Sequence, residues 1–142
     1  MQRLETVYLG LGSNLGNRQE NILRAIDELK MIGTRVLKVA TAIETDPIGP
    51  PQGKFLNTVM KGETLLPPQE LLIQIKTIEK KLGRVKTVLN GPRIIDIDIL
   101  LYSNLILNTK TLIIPHPRMW QRDFVLIPLR EIEPKIKEPV TK

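Results

Sequence analysis

The chain has 142 residues, 42% of them apolar and only 4% aromatic, with no cysteine, one histidine and a formal net charge of +6. That length suits one ordinary core, and a single domain over residues 1–142 is expected. The composition excludes a disulfide framework, a thiolate zinc centre and most histidine-based metal sites, so any metal must sit on oxygen ligands.

TVYLGLGS, Thr6 to Ser13, predicts a strand, and the glycines of GLGSNLG allow a tight turn and close packing after it. NLGN then turns into a helix. Ile22, Ile26 and Leu29 recur there at helical spacing with Leu23 beside them, and Asn17 with Glu20 fits a capping box. Thr34 to Thr45 is β-branched and apolar and reads as one strand, ended by the turn-rich DPIGPPQG. Phe55 to Leu65 predicts the next strand. Pro67 and Pro68 open a second helix, QELLIQIKTIEKKLG, which Gly83 can close. After RVKTVLNGP comes GPRIIDIDILLY, an apolar strand carrying two aspartates. A small hairpin in NLILNTKTLII, the loop PHPRMWQRD and a short final helix interrupted at Pro128 complete the chain. The order strand, helix, strand, strand, helix, strand predicts an α+β, ferredoxin-like βαββαβ core. Its helices should stack on one face of a mostly antiparallel sheet, with the C-terminal hairpin and short helix appended.

The surplus charge is confined to one stretch. Between Lys76 and Arg130, ten basic residues meet four acids (Glu79, Asp96, Asp98 and Asp123), while the remainder holds eleven of each sign. A polyanionic ligand is expected there. No apolar run reaches the ~18 residues of a membrane span, and the first is too short and glycine-rich for a signal-peptide core. A cytoplasmic protein with no membrane partner is expected.

Asp96 and Asp98 lie two apart on a strand, so both leave the same face with attachment points roughly 6 to 7 Å apart. At that separation two charges repel by about 2 to 3 kcal/mol at an effective dielectric near 20. An outward face of Ile94, Asp96, Asp98, Leu100 and Tyr102 is not a wet one. One divalent cation, or two, would turn the repulsion into attraction and grip a polyphosphate, which makes Asp96 and Asp98 candidate metal ligands. Arg93, just behind Gly91 and Pro92, suits bidentate phosphate contact or a salt bridge to Asp96; the second reading leaves Asp98 unexplained. His116, Arg118 and Arg122 add phosphate candidates in one proline-bound loop. Phe55 and Asn57 share a strand face, where an aromatic plane beside an amide can hold a flat heterocycle. Two apparent nucleotide motifs fail: GLGSNLG has Leu15 at the third glycine position, and GPPQGK is one residue short of a P-loop.

GPRIIDIDIL followed by PHPRMWQRDFVLIPL, supported by LGSNLG, TDPIGPPQGKFLN and IEKKLGR, resembles the 6-hydroxymethyl-7,8-dihydropterin pyrophosphokinases of folate synthesis from about Tyr8 to about Pro134. The resemblance implies transfer of pyrophosphate from ATP to the hydroxymethyl oxygen of the dihydropterin, leaving AMP. It implies that Asp96 and Asp98 hold two Mg²⁺ ions, and that Arg93, His116, Arg122 and Arg84, with Lys86, contact the ATP phosphates. It further places Lys76 and Ile99 at the nucleoside, and Thr45, Asp46, Ile48, Phe55, Asn57 and Phe124 around the pterin. The chain departs from the family's common pattern in a loop one residue shorter, in Leu89 and Asn90 where an Arg-Trp pair often stands, and in Asp46 and Phe55 for a common proline and tyrosine. A monomer that binds ATP and the dihydropterin, and no nucleic acid, is expected. The competing readings are a basic RNA-binding module on the same topology, disfavoured by the scarcity of aromatics, and a ligand sensor without catalysis, which gives no reason for twin aspartates beside arginines.

Overall fold

The computed structural model describes residues 3–85 and 87–138. Strand β1 (Glu5–Ser13) leads into α1 (Arg18–Met31), then β2 (Arg35–Val39), β3 (Ile43–Thr45), β4 (Phe55–Thr64), α2 (Pro68–Lys81) and β5 (Asp96–Tyr102). A hairpin of β6 (Leu107–Asn108) and β7 (Ile113–Ile114), a 3-10 turn at Met119–Gln121 and α3 (Asp123–Ile132) follow. The main sheet runs β2-β4-β1-β5 with β3 also paired to β4, all antiparallel. Counting β2 and β3 together as the second strand, this is the expected ferredoxin-like order. Among the described residues, no helix is long and apolar enough to cross a membrane.

Local signals explain most of these boundaries. Asn17 caps α1 by accepting the Glu20 amide through its side chain at 3.1 Å. Proline at the start of α2 sacrifices no bond there, and Gly83 follows its end at φ +102°. Ile22, Ile26 and Leu29 of α1 and Leu71, Ile75 and Ile78 of α2 pack on Val7, Leu9, Leu11, Met60, Ile97 and Ile99 of the sheet. Leu23, beside that stripe, is exposed.

Four expectations are corrected. Helices do not all stack on one face: α1 and α2 cover one, while Val125, Leu126, Leu129 and Ile132 of α3 cover Tyr8, Val59, Leu100 and Leu101 on the other. The segment 34–45 is two strands, because at the break Ala40 bonds to Val59 and to the Thr58 hydroxyl, and the Thr41 amide donates to the Glu131 carboxylate at 2.6 Å. Pro128 lies inside a continuous α3, since its missing N–H deprives only the carbonyl four residues back, in the first turn. Finally, Ile94 and Tyr102 do not share a face with the aspartates. The β1–β5 register skips Leu100, so Leu100 and Leu101 both turn to the α3 side and Tyr102 returns to the α1/α2 side, where Ile94 also packs.

Candidate active site

The α3 side of the sheet is hollow because β1 carries glycine where its neighbours carry side chains. Across three strands, Asn57, Gly12 and Asp96 stand in one row, and Val59, Gly10 and Asp98 in the next. The outer backbones of such a row are roughly 9 to 10 Å apart. A Cβ on Gly12 would lie 2.4 Å from the Asn57 side-chain oxygen and 3.5 Å from the Phe55 ring. Gly10 and Gly12 therefore sit within the strand and open a cavity, while Gly16, at φ +66°, serves the turn after it.

That cavity, of about 90 Å³, is walled by Thr45, Asp46, Ile48, Phe55 and Asn57 on one side, Asp96, Asp98 and Arg93 on the other, and Arg122 and Phe124 from the start of α3. Asn57 donates to the Thr45 hydroxyl at 2.7 Å, which leaves its carbonyl oxygen to accept from a ligand. The Arg122 guanidinium lies 5.4 Å from the Phe124 ring centre, a cation–π arrangement. A second, more open cleft of about 650 Å³ is lined by Lys76, Glu79, Lys80, Arg84, Val88 and Leu89. Arg93 and Asn90 line both, so the two clefts adjoin at these residues, with the aspartates on the first cavity's side.

Electrostatics single out Asp98. Asp96 is bridged by Arg93 at 3.3 Å and Arg84 at 3.6 Å, whereas among the described residues no ion pair or side-chain hydrogen bond reaches the Asp98 carboxyl, whose backbone pairs with Gly10. Its carboxyl is pushed up to about 7, first by burial, then by the negative charges of Asp96 and Glu79, with Lys76 and Arg93 pulling the other way. The proposed salt bridge of Arg93 thus exists, and it leaves Asp98 unsatisfied. Such a pair fits a hard divalent cation: among the described residues no third His, Cys, Asp or Glu joins them as a ligand group, so oxygens from outside the protein would complete the shell. His116 bonds through its amide to the Leu100 carbonyl at 2.9 Å. Burial, Arg122 and Arg118 hold its imidazole below the ordinary value while Asp96 opposes them. The ring is therefore neutral near pH 7.

Of the other predicted residues, Ile99 does not present its side chain here, being 4% exposed in the core under α1 and α2. Lys86 lies outside the described residues. Two residues went unpredicted. Asn14 receives the Arg93 amide at 2.8 Å and donates to the Gln52 side chain at 2.8 Å and the Gly53 carbonyl at 3.0 Å, fixing the loop before Phe55 against Arg93. Glu79, 2% exposed, is an acid on the buried face of α2. A charge at an apolar helical position was the available signal.

The family model for 7,8-dihydro-6-hydroxymethylpterin-pyrophosphokinase matches residues 8–134. A 2-amino-4-hydroxy-6-hydroxymethyldihydropteridine pyrophosphokinase of Aquifex aeolicus is 49% identical over 138 residues, covering 96% of this chain and 86% of the relative. The folic acid synthesis protein fol1 of Pneumocystis carinii is 48% identical over 96% of this chain, which spans only 19% of that longer protein. Among solved structures, the Plasmodium falciparum HPPK-DHPS wild type superposes with a TM-score of 0.79 over all of this chain and 43% of that one; at 16% identity this shows the fold. A matching fold, a match across nearly the whole sequence and paired carboxylates in a cavity that adjoins a basic cleft agree, and the chain belongs to the 7,8-dihydro-6-hydroxymethylpterin-pyrophosphokinase family.

Proposed function

We propose that this chain transfers the β,γ-pyrophosphoryl group of ATP to the hydroxymethyl oxygen of 6-hydroxymethyl-7,8-dihydropterin, with AMP as leaving group. The observation that carries the reading is Asp98, half-buried beside Asp96 with no side-chain partner among the described residues, in a cavity that shares Arg93 and Asn90 with the basic cleft. The new bond joins the pterin oxygen to the β-phosphorus, the bond from that phosphorus to the α,β-bridging oxygen breaks, and the hydroxyl proton leaves to water.

In this reading Phe55 and Phe124 hold the pterin ring, with Asn57 and Thr45 recognising its edge and Asp46 and Ile48 closing the rim. Arg93, Arg122 and Arg84 meet phosphate oxygens, and His116, neutral with its Nδ1 facing the Arg118 amide at 3.4 Å, donates from Nε2. Lys76 borders the nucleoside end. Asp96 and Asp98 would hold Mg²⁺, two ions in the family-based reading, which offsets charge on the bridging and leaving oxygens when bound. No side chain stands as a dedicated base, so the protein works by alignment and electrostatics.

The test is AMP formation from MgATP with and without the hydroxymethyldihydropterin. Activity should require both pterin and magnesium, and Asp98→Ala should lower kcat about 10²- to 10³-fold. Near-normal magnesium-dependent turnover in Asp98→Ala would remove the assignment.

A further inference from the structure

One buried carboxylate in the nucleotide-side cleft has no part in the mechanism above. Glu79 sits on the sheet-facing side of α2 with 2% of its side chain exposed. Oε2 accepts the amide N–H of Ile97, the residue between the two aspartates, at 2.8 Å. Oε1 receives Arg84 at 3.0 Å and Lys76 at 3.2 Å. Since β5 pairs with β1 on its other side, the Ile97 amide points to the open edge of the sheet and has no strand to receive it. Burying a carboxylate is costly unless its oxygens are fully used, and here both are.

We infer that Glu79 is a positioning residue, resting on the pyrophosphoryl-transfer reading: one carboxylate locks the strand that bears Asp96 and Asp98 to the two cations that receive the nucleotide. Two guanidiniums, Arg84 and Arg93, stand on Asp96. A cation arriving with the triphosphate competes for that aspartate, and Arg84 must release it. Glu79 gives Arg84 a second anchor, so the guanidinium stays on the cleft wall, aimed at the phosphates. The same group holds Lys76 one helical turn away.

Glu79→Gln separates the two roles, since the amide oxygen still accepts from Ile97 N–H while the NH₂ group cannot hold Arg84 or Lys76. The expected result is a melting temperature close to the parent's, unchanged pterin affinity, and binding of a magnesium-bound non-hydrolysable ATP analogue weakened about tenfold by calorimetry, the size of the coupling between directly bonded residues. That weakening should vanish when Glu79→Gln is introduced into the Lys76→Ala/Arg84→Ala background. Glu79→Ala, which orphans the Ile97 amide as well, should also lower the melting temperature. Unchanged or tighter analogue binding in Glu79→Gln would overturn the inference, as would equal losses for pterin and nucleotide. The binding measurements need no turnover, so a parent that bound the analogue but made no AMP would sink the proposed reaction and leave the Glu79 result readable.

Discussion

Among the residues that line the cavity beside Asn57, Gly12 controls its shape most directly. A methyl group there cannot coexist with the Asn57 side chain, whose position is held by its bond to Thr45. Gly12→Ala should therefore rotate Asn57 away, break that bond and weaken pterin binding about tenfold, the value of one hydrogen bond removed from a buried site, with nucleotide binding unchanged. Calorimetry with each ligand checks the split. This role was not legible in the sequence, because the hollow exists only once three strands align. Asp96 and Asp98 were legible, since charge inside an apolar run is conspicuous whatever surrounds it. Glu79 escaped notice because an acid in a lysine-rich helix resembles an ordinary surface charge.

The element that turns the sheet into a site is α3, which supplies Phe124 and follows Arg122. Its far end is tied down: Lys61 pairs with Glu133, Lys38 donates to the Ile132 carbonyl at 3.2 Å, and Glu131 receives the Thr41 amide. The hydrogen bond from Lys61 holds the Glu133 carboxyl below its ordinary 4.5, outweighing burial. A carboxyl depressed on folding contributes stability above its unfolded value and loses it as pH falls through the lower folded one. Glu133→Gln should lower the melting temperature by about 2 °C at pH 7, a partly screened pair's worth. The difference should close as the pH drops below 4.5. Helix and strand periodicities predicted most elements, and the misses have tertiary causes. The break after Val39 is enforced by Thr58 and by Glu131, 90 residues on. The continuity of α3 through Pro128 follows from packing that outweighs one missing bond.

At the scale of the molecule, the uneven charge becomes directional. Four of the ten basic residues of that stretch, Lys76, Lys80, Arg84 and Arg93, line the open cleft against Glu79, while the neighbouring cavity sets Arg93 and Arg122 against Asp46, Asp96 and Asp98. Nucleotide affinity should accordingly fall as salt rises from 0.05 to 0.5 M, roughly the span in which the Debye length shrinks to a few Å, while pterin affinity changes little. Equal salt dependence for the two ligands would contradict this division. The ferredoxin-like topology was legible from element order alone. That the sheet is covered on both faces was not, because the last helix could have docked anywhere an apolar stripe was welcome.

The unpaired Leu100 has an effect beyond local twist. Upstream of it the strand keeps step with Gly10 and Gly12; downstream the alternation inverts, so that Tyr102 turns inward and donates to the Leu66 carbonyl. One strand thus carries two independent phases, and the reactive end is insulated from the anchoring end: side chains beyond Leu101 can be exchanged for others of similar bulk without carrying the carboxylates off their row.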